Sequence, residues 1–414
     1  MKLLILGGGN AQLSAIKKAK SMGLEVIISD YLKNPPGKKI ADHHELISTF
    51  DIKANIEVAK KYDIDGIMTI GTDQPVLTAA VVAEELNLPT LIDKKTAKAV
   101  TNKKVMKNTF KKNNIPTVNY RRLNKNYPNR KIKDINFPAV IKPLDSQGQR
   151  GVFKIKTPKE INKYFPTVLK YSREEQILLE EYYDSDEITV SGWVKNGELK
   201  ILTITDRVTY EQDLNIGICT AHIFPSRHLT KYYEQIKNIS ENIVQSFQIK
   251  DGPIYFQMLI GQRGIKVNEI ACRIGGAYEA DFMPLITGVD ILAMVINSAL
   301  GQKINTSPLE DYHILDNNNW LSVQLFFAQE GKISKIENLD QIKKLKEVIQ
   351  ISLNFQENEK IPKIENATAR AGYFIVKGSN KQELKDNIKK VYDLLKIYDF
   401  KNQNLVLREA GEIL

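Results

Sequence analysis

The chain has 414 residues, 42% of them hydrophobic and 26% charged, an ordinary globular composition with enough length for two or three domains. Its two cysteines, Cys219 and Cys272, exclude a disulfide framework and fit a reducing cytoplasm. The formal charge of +10 is spread along the whole chain, and clusters such as Lys94-Lys95 and Lys111-Lys112 lack interleaved aromatics. A solvated surface with some pull on anionic small molecules is expected, not nucleic-acid binding.

Met1-Lys2 leads straight into LLIL and a glycine turn, so no signal peptide is expected. KLLIL, a helix through Met22 and LEVIISD form one strand–helix–strand unit. A helix at Asn55–Tyr62, the strand GIMTI and a helix after Asp73 continue it, which predicts a parallel, doubly wound sheet. Gly7, Gly8 and Gly9 stand where a dinucleotide fingerprint would lie, with Asp30 following. The third glycine position holds Gln12, so a turn that only reverses the chain explains them as well.

A helical segment, KKTAKAVTNKKVMKNTFKKNN, ends at Ile115-Pro116. In FPAVIKPLDSQGQRGVFKI, from Phe137 to Ile155, a buried strand ends in Lys142-Pro143. A loop with Ser146, Gly148, Arg150 and Gly151 follows, and a second strand starts at Val152. A fixed positive charge beside glycines that expose backbone N–H groups can grip a phosphate; a surface hairpin with a solvated lysine is the alternative. After a helix near Pro158–Tyr171, ILLEEYYDSDEITVSGWV reads as strand, polar break, strand. Asn196-Gly197 is a hairpin turn, and IYFQMLI pairs with GIKVNEIACRI across Gly261–Gly264. Met283–Leu300 is apolar but interrupted by Asp290 and Asn297, which predicts a packed helix and no membrane span. Beyond about 302, WLSVQLFFA and KISKI are expected to form a hairpin turned at Glu330-Gly331. ARAGYFIVKG then leads into the helix QELKDNIKKVYDLLKIY.

In this order the parts resemble the ATP-grasp superfamily over nearly the whole chain. The resemblance implies an α/β and α+β protein: a Rossmann-like domain at 1–92, an ATP-grasp domain at 93–301 with a lid subdomain at about 117–183, and a small C-terminal sheet domain at 302–414. Asn102-Lys103, Met106-Lys107 and Asn114-Ile115-Pro116 resemble the family's phosphate-contacting helix, with Lys103 as the contact. Lys142 resembles the lid lysine on phosphate, and Ser146, Gly148, Arg150 and Gly151 the loop that closes over it. Glu180, Glu181 and Tyr183 resemble the strand that reads adenine through its backbone, with Glu180 near the amino group; Glu187 would take the ribose hydroxyls.

Gln257 and Glu269 resemble the metal pair that holds Mg²⁺ (or Mn²⁺) with the nucleotide phosphates. The pattern wants Asn where this chain has Ala271. Strand alternation would put Asn268 on the opposite face from Glu269, which leaves water, Glu279 or Asp281 to complete the set, or a weakened site. Arg273 would face the transferred phosphoryl group, with Gly275-Gly276 letting substrate pass close to the backbone. Asp206, Arg207, His222 and Arg227 fall where amino-acid ligases line the acceptor side.

The implied activity is that of a cytoplasmic, homodimeric carboxylate–amine ligase. Carboxylate attacks the ATP γ-phosphate to give an acyl phosphate and ADP, and an amine displaces the phosphate. The substrates would be a small-molecule carboxylate and amine, amino acids first, with no nucleic acid and no membrane as partner. Two alternatives stand within the family. One is a purine-pathway carboxylase or formyl-phosphate enzyme, whose ribonucleotide phosphate would need the turn at Gly7–Asn10. The other, motivated by Ala271, is an ATP-binding protein with impaired ligase chemistry.

Overall fold

Four parallel strands open the computed structural model, which describes residues 1–212 and 215–408. Residues 213–214 and 409–414, the last six of the expected C-terminal unit, lie outside the described residues. The strands Lys2–Leu6, Glu25–Ser29, His43–Glu45 and Gly66–Met68 stand in the order third, second, first, fourth. Leu3 to Leu6 and Val26 to Ile28 are fully buried, the continuous apolar pattern of a parallel sheet covered on both faces. The glycine turn is packed against its own domain. A Cβ at Gly8 would meet Ile28 Cδ1 at 2.7 Å, and the Gly8 N–H donates to Asp30 Oδ2 at 2.7 Å. Asp30 is thereby engaged by the turn, the chain-reversing role.

The long helix expected over 94–114 is two, Lys94–Thr101 and Lys103–Lys112. Asn102 leaves helical geometry, and its side chain accepts from the N–H groups of Lys104 and Val105. It is an N-cap that restarts the helix. This sets Lys103 at the first helical position. Met283–Leu300 likewise lies in two buried helices, Glu279–Thr287 and Ile291–Ala299, bent by 119° after Gly288 (φ 70°). Among the described residues no single helix is long and apolar enough to cross a membrane.

A four-stranded antiparallel sheet forms the lid, in the order Tyr120–Leu123, Ile177–Glu181, Ala139–Pro143, Phe153–Ile155. The helix Lys159–Leu169 packs Ile161, Phe165 and Val168 onto Leu123, Ile141 and Leu179, giving the lid its own core.

The main sheet has eight strands in the order Gly264–Ala271, Gly252–Gly261, Asp186–Lys195, Glu198–Gln212, Asn215–Phe224, Trp320–Gln324, Gly372–Gly378, Val348–Leu353. The last three come from beyond residue 302, so the C-terminal region extends the central sheet. Here the expected hairpin gives way. Both edges of Trp320–Gln324 are taken, by Asn215–Phe224 and Gly372–Gly378. Gly331–Glu337 pairs instead with Lys360–Ile361 and Lys396–Asp399. Leu384, Ile388 and Val391 of the helix Lys381–Leu394 cover this end.

Contact between the N-terminal domain and the main sheet is backbone to backbone at one point. Gly71 N–H donates to Ile274 O at 3.0 Å, and a Cβ on Gly276 would lie 2.3 Å from Gly71 O. A Cβ on Gly275 would collide with the Glu279 carboxylate at 2.1 Å. These glycines, expected to make room for substrate, make room for the protein's own packing.

Candidate active site

A cavity of about 610 Å³ lies where the N-terminal sheet, the lid, the main sheet and the C-terminal region meet. Its lining includes the residues expected to contact nucleotide, metal and phosphoryl group, except Gly151, together with Asp73, Asn268, Tyr255, Tyr278 and Arg370. A separate surface depression of about 870 Å³, bordered by Lys104, Asn126 and Glu174, holds none of them.

Three buried lysines form its floor. Lys103 Nζ lies 2.7 Å from Glu269 Oε1 and donates to Ser146 O at 3.2 Å. Burial works against the charge on Lys103, but Glu269 outweighs it and leaves the ammonium favoured; Lys103 in turn overcomes burial to hold Glu269 ionised. Lys107, one helical turn on, lies 2.7 Å from Glu180 Oε1 and donates to Thr117 Oγ1 at 2.6 Å. Lys142 pairs with the other oxygen of Glu180 and donates to Asn268 Oδ1 at 3.1 Å. Burial alone would raise the Glu180 carboxyl, yet Lys107 and Lys142 hold it down to about 2. Lys107 is pushed the other way, its affinity for a proton lowered by burial.

Glu180, expected beside adenine, thus serves as counter-ion to two lysines. Lys107 was not singled out from the sequence. Its signal was the four-residue spacing from Lys103, which puts both on one helix face. Glu181 is tied into the lid, its Oε1 accepting from Asn136 Nδ2 at 2.9 Å and its N–H donating to Asn119 O at 3.0 Å. Tyr183 donates to Gly264 O at 2.7 Å, and Glu187 is ion-paired with buried Arg207.

The strands Gly252–Gly261 and Gly264–Ala271 carry a local irregularity that reverses one expectation. Gln257 opposes Glu269 and Met258 opposes Val267, so Asn268 is an extra residue, a β-bulge. A bulge resets the alternation that would have turned Asn268 away. Asn268 faces the cavity, between Lys142 and Gln257, whose Oε1 is 3.4 Å from its Nδ2. Ala271 is buried opposite Tyr255. Gln257, Glu269 and Asn268 offer hard oxygen donors with one carboxylate, the kind of set that takes Mg²⁺ when phosphate oxygens complete it. Among the described residues no cluster of three or more His, Cys, Asp or Glu forms a self-sufficient metal cage. Glu279 and Asp281 are not part of this set: Glu279 Oε2 accepts from Ala277 N at 2.8 Å, and Asp281 does not line the cavity.

Arg273 is held by a residue the sequence reading passed over. Its Nε donates to Asp73 Oδ1 at 2.8 Å, Nη1 donates to Ile274 O at 3.2 Å, and the guanidinium lies 4.6 Å from the Tyr255 ring centre. Asp73 belongs to the N-terminal domain, and the distance in sequence hid the pair. The glycine loop reaches the same point. Gln147 Oε1 accepts from the N–H groups of Asp73 at 2.7 Å and Gln74 at 3.0 Å, and Gly148 O accepts from Ala367 N at 3.4 Å. One loop touches all three regions of the chain. Gly151 (φ 72°) turns it back at a point where a Cβ would meet Tyr171 at 2.8 Å.

Of the lesser candidates, Arg207 and His222 reach the cavity in buried positions. His222 shares a hydrogen bond of 2.9 Å between Nδ1 and Thr205 Oγ1, and its Nε2 stands 3.9 Å from Glu279 Oε1. Burial, helped by Arg207 and Arg370, keeps the imidazole neutral, and burial likewise raises the Glu279 carboxyl. Asp206 accepts from Ser226 Oγ at 2.6 Å and lies off the cavity, while half-exposed Arg227 sits at its rim, 3.4 Å from Asp206.

Comparison with known proteins gives matches at two levels. Residues 135–281 match the ATP-grasp domain, and residues 324–398 match the L-amino acid ligase C-terminal domain 2. The formate-dependent phosphoribosylglycinamide formyltransferase of Prochlorococcus marinus (strain MIT 9515) is 30% identical over 189 residues, 45% of this chain and 48% of that relative. The match thus spans about half the length of the formyltransferase. The phosphoribosylamine–glycine ligase of Methanocaldococcus jannaschii is 25% identical over 333 residues, 72% of this chain and 74% of the relative. Among solved structures, the L-amino acid ligase from Bacillus licheniformis superposes with a TM-score of 0.80 at 18% identity, covering 97% of this chain and 99% of the other. That likeness is one of fold.

Proposed function

We propose that the chain, which matches the ATP-grasp domain over residues 135–281 and the L-amino acid ligase C-terminal domain 2 over residues 324–398, is an ADP-forming carboxylate–amine ligase acting on small molecules, amino acids first. The observation that carries this reading is the gathering in one cavity of Lys103, Lys142, Arg273 and the oxygen donors of Gln257, Asn268 and Glu269, with the loop Ser146–Arg150 in its wall. The protein supplies no covalent nucleophile. It positions reactants and neutralises charge.

ATP phosphates entering the cavity take up Lys103 and Lys142, which without nucleotide are balanced by Glu269 and Glu180. Gln257, Glu269 and Asn268 would hold Mg²⁺, which when bound offsets the negative charge of the phosphates. A carboxylate oxygen bonds to the γ-phosphorus as the bridging oxygen departs with ADP, giving an acyl phosphate. Arg273, fixed by Asp73 and flanked by Tyr255, presents its fork to the transferred group. The amine nitrogen then bonds to the acyl carbon, phosphate leaves, and the amine loses a proton. With the 146–151 loop closed, water is kept from the acyl phosphate.

A screen of amino-acid pairs and simple carboxylates for phosphate release with ATP and Mg²⁺ tests the reading; ATP binding with no acid-dependent release from a broad panel would overturn it. The formyl-phosphate alternative is favoured by one observation: Gly9, Asn10, Ala11 and Gln12 line the same cavity, where a ribosyl phosphate would need them. ATP-dependent turnover of formate with a phosphoribosyl amine, and none with amino acids, would select it.

A further inference from the structure

Five arginines line the cavity: Arg150 on the glycine loop, Arg227 at the rim beside Asp186 and Asp206, and Arg207, Arg273 and Arg370. Arg207 is paired with Glu187 and Arg273 with Asp73. Arg370 is different. Its Nη2 reaches Cys219 O only at 3.4 Å, its Nε is buried without a partner, and among the described residues no carboxylate lies within salt-bridge distance. Arg370 as a whole is half-buried, but its Nε is a buried, unspent donor at the cavity, which an anionic group entering there would satisfy.

One buried acid feels Arg370 but does not complete it. Glu279 feels the charge of Arg370, but burial raises its carboxyl, and one of its oxygens is taken by Ala277 N. Its other oxygen, Oε1, has no hydrogen-bond partner, and neither has His222 Nε2 beside it. His222 lines the cavity with Arg370 and leaves a ring nitrogen unspent, while Glu279 is fully buried off it. A molecule carrying an anionic group and a second polar group would engage both cavity residues.

The backbone around Arg370 is fixed for such a task. Asn354 Nδ2 donates to Arg370 O at 2.9 Å, and Ala371 N donates to Phe326 O at 2.9 Å. The short helical turn Ala367–Ala369 just before it receives the lid loop through Gly148 O. Anchoring at Arg370 and closing of the lid thus occur on one rigid segment.

We propose that Arg370 anchors a carboxylate on the amine substrate, so that the C-terminal region completes the acceptor pocket and selects amines that are themselves amino acids. This rests on the ligase reading, whose failure shows separately as absence of acid-dependent ADP release.

The test is calorimetric titration of amino acids and their decarboxylated counterparts (glycine and methylamine, alanine and ethylamine, and so on) into enzyme saturated with Mg²⁺ and a non-hydrolysable ATP analogue. Wild type should bind at least one amino acid about 30-fold or more tighter than its matched amine, the range for a desolvated charge pair. Arg370→Gln should cut that preference to less than about threefold while holding the ATP analogue as wild type does, and Arg370→Lys, with charge but no fork, should fall between. Equal binding of acid and amine by wild type overturns the proposal, as does a preference that survives in Arg370→Gln. A matching loss of ATP-analogue affinity marks a structural role and also overturns it. Titration with ribose 5-phosphate separates the sources of negative charge: Arg370-dependent binding of the phosphate with no amino-acid preference rejects the carboxylate assignment.

Discussion

Lys142 Nζ and Asn268 Oδ1 stand 3.1 Å apart across 126 residues of sequence, joining the lid to the strand Gly264–Ala271. The contact exists only because Asn268 is an extra residue in its ladder. On the ligase reading, Lys142→Ala removes a charge-assisted contact to phosphate. ATP affinity should fall about 10- to 100-fold, measured by calorimetry, with little change in melting temperature because Glu180 keeps Lys107. Unchanged affinity and turnover would remove Lys142 from the site.

Asn268→Ala should raise the Mg²⁺ concentration for half-maximal turnover about fivefold, with excess Mg²⁺ recovering most of the rate. Ala271→Asn should bring no gain. The position is buried against Tyr255, so an added amide meets a packed ring and costs about 1–3 kcal/mol. A large rise in activity in that variant would mean instead that the native metal site is compromised.

Glu180 balances two buried lysines, so its loss strands both. Glu180→Gln should destabilise the fold by about 3–5 kcal/mol in urea titration, and Lys107→Met in the same chain should recover part of that loss. Additive losses in the double variant would contradict the shared pairing.

Gln147 holds the lid loop down through two hydrogen bonds to the start of the helix Gln74–Glu85. Gln147→Ala should leave thermal stability nearly unchanged. It should also quicken proteolytic nicking at 146–151 several-fold and raise the ratio of phosphate released to product formed, as water reaches the intermediate.

Asp281 carries a pH signature. Burial pushes its carboxyl up to about 6, with Lys17 opposing and Glu279 adding to the rise. An unfolded aspartate titrates near 3.9, so between about pH 4 and 6 the folded chain holds the extra proton and its stability falls as pH rises. Asp281→Asn should therefore match wild type at about pH 4 and exceed it by about 2 kcal/mol at about pH 7 in chemical denaturation. A constant offset at both pH values would contradict the shift.

The local features were legible in the residues. Alternating elements gave the parallel sheet, Asn196-Gly197 gave the hairpin (φ 53° and 82°), and the lysine and glycine spacings led to one cavity. What escaped depends on partners distant in sequence. Asp73 lies 200 residues from the Arg273 it holds, and Arg370 follows Cys219, whose carbonyl its guanidinium approaches, by 151. The bulge at Asn268 escaped for another reason: a strict period of two assumes an unbroken ladder, and one inserted residue moves a side chain to the other face. The split at Asn102 was hidden by a lysine-rich pattern that reads as helix on either side of a capping residue.

The single loop that meets the start of the helix Gln74–Glu85 through Gln147 and Ala367 through Gly148 bridges the N-terminal and C-terminal sides of the cavity. On the ligase reading, acid and amine would enter by the same opening event, and neither product would leave before the loop lifts. Initial-rate plots at several fixed amine concentrations should then intersect, the pattern of a ternary encounter, with no parallel lines and with the rate of loop opening as the ceiling on turnover.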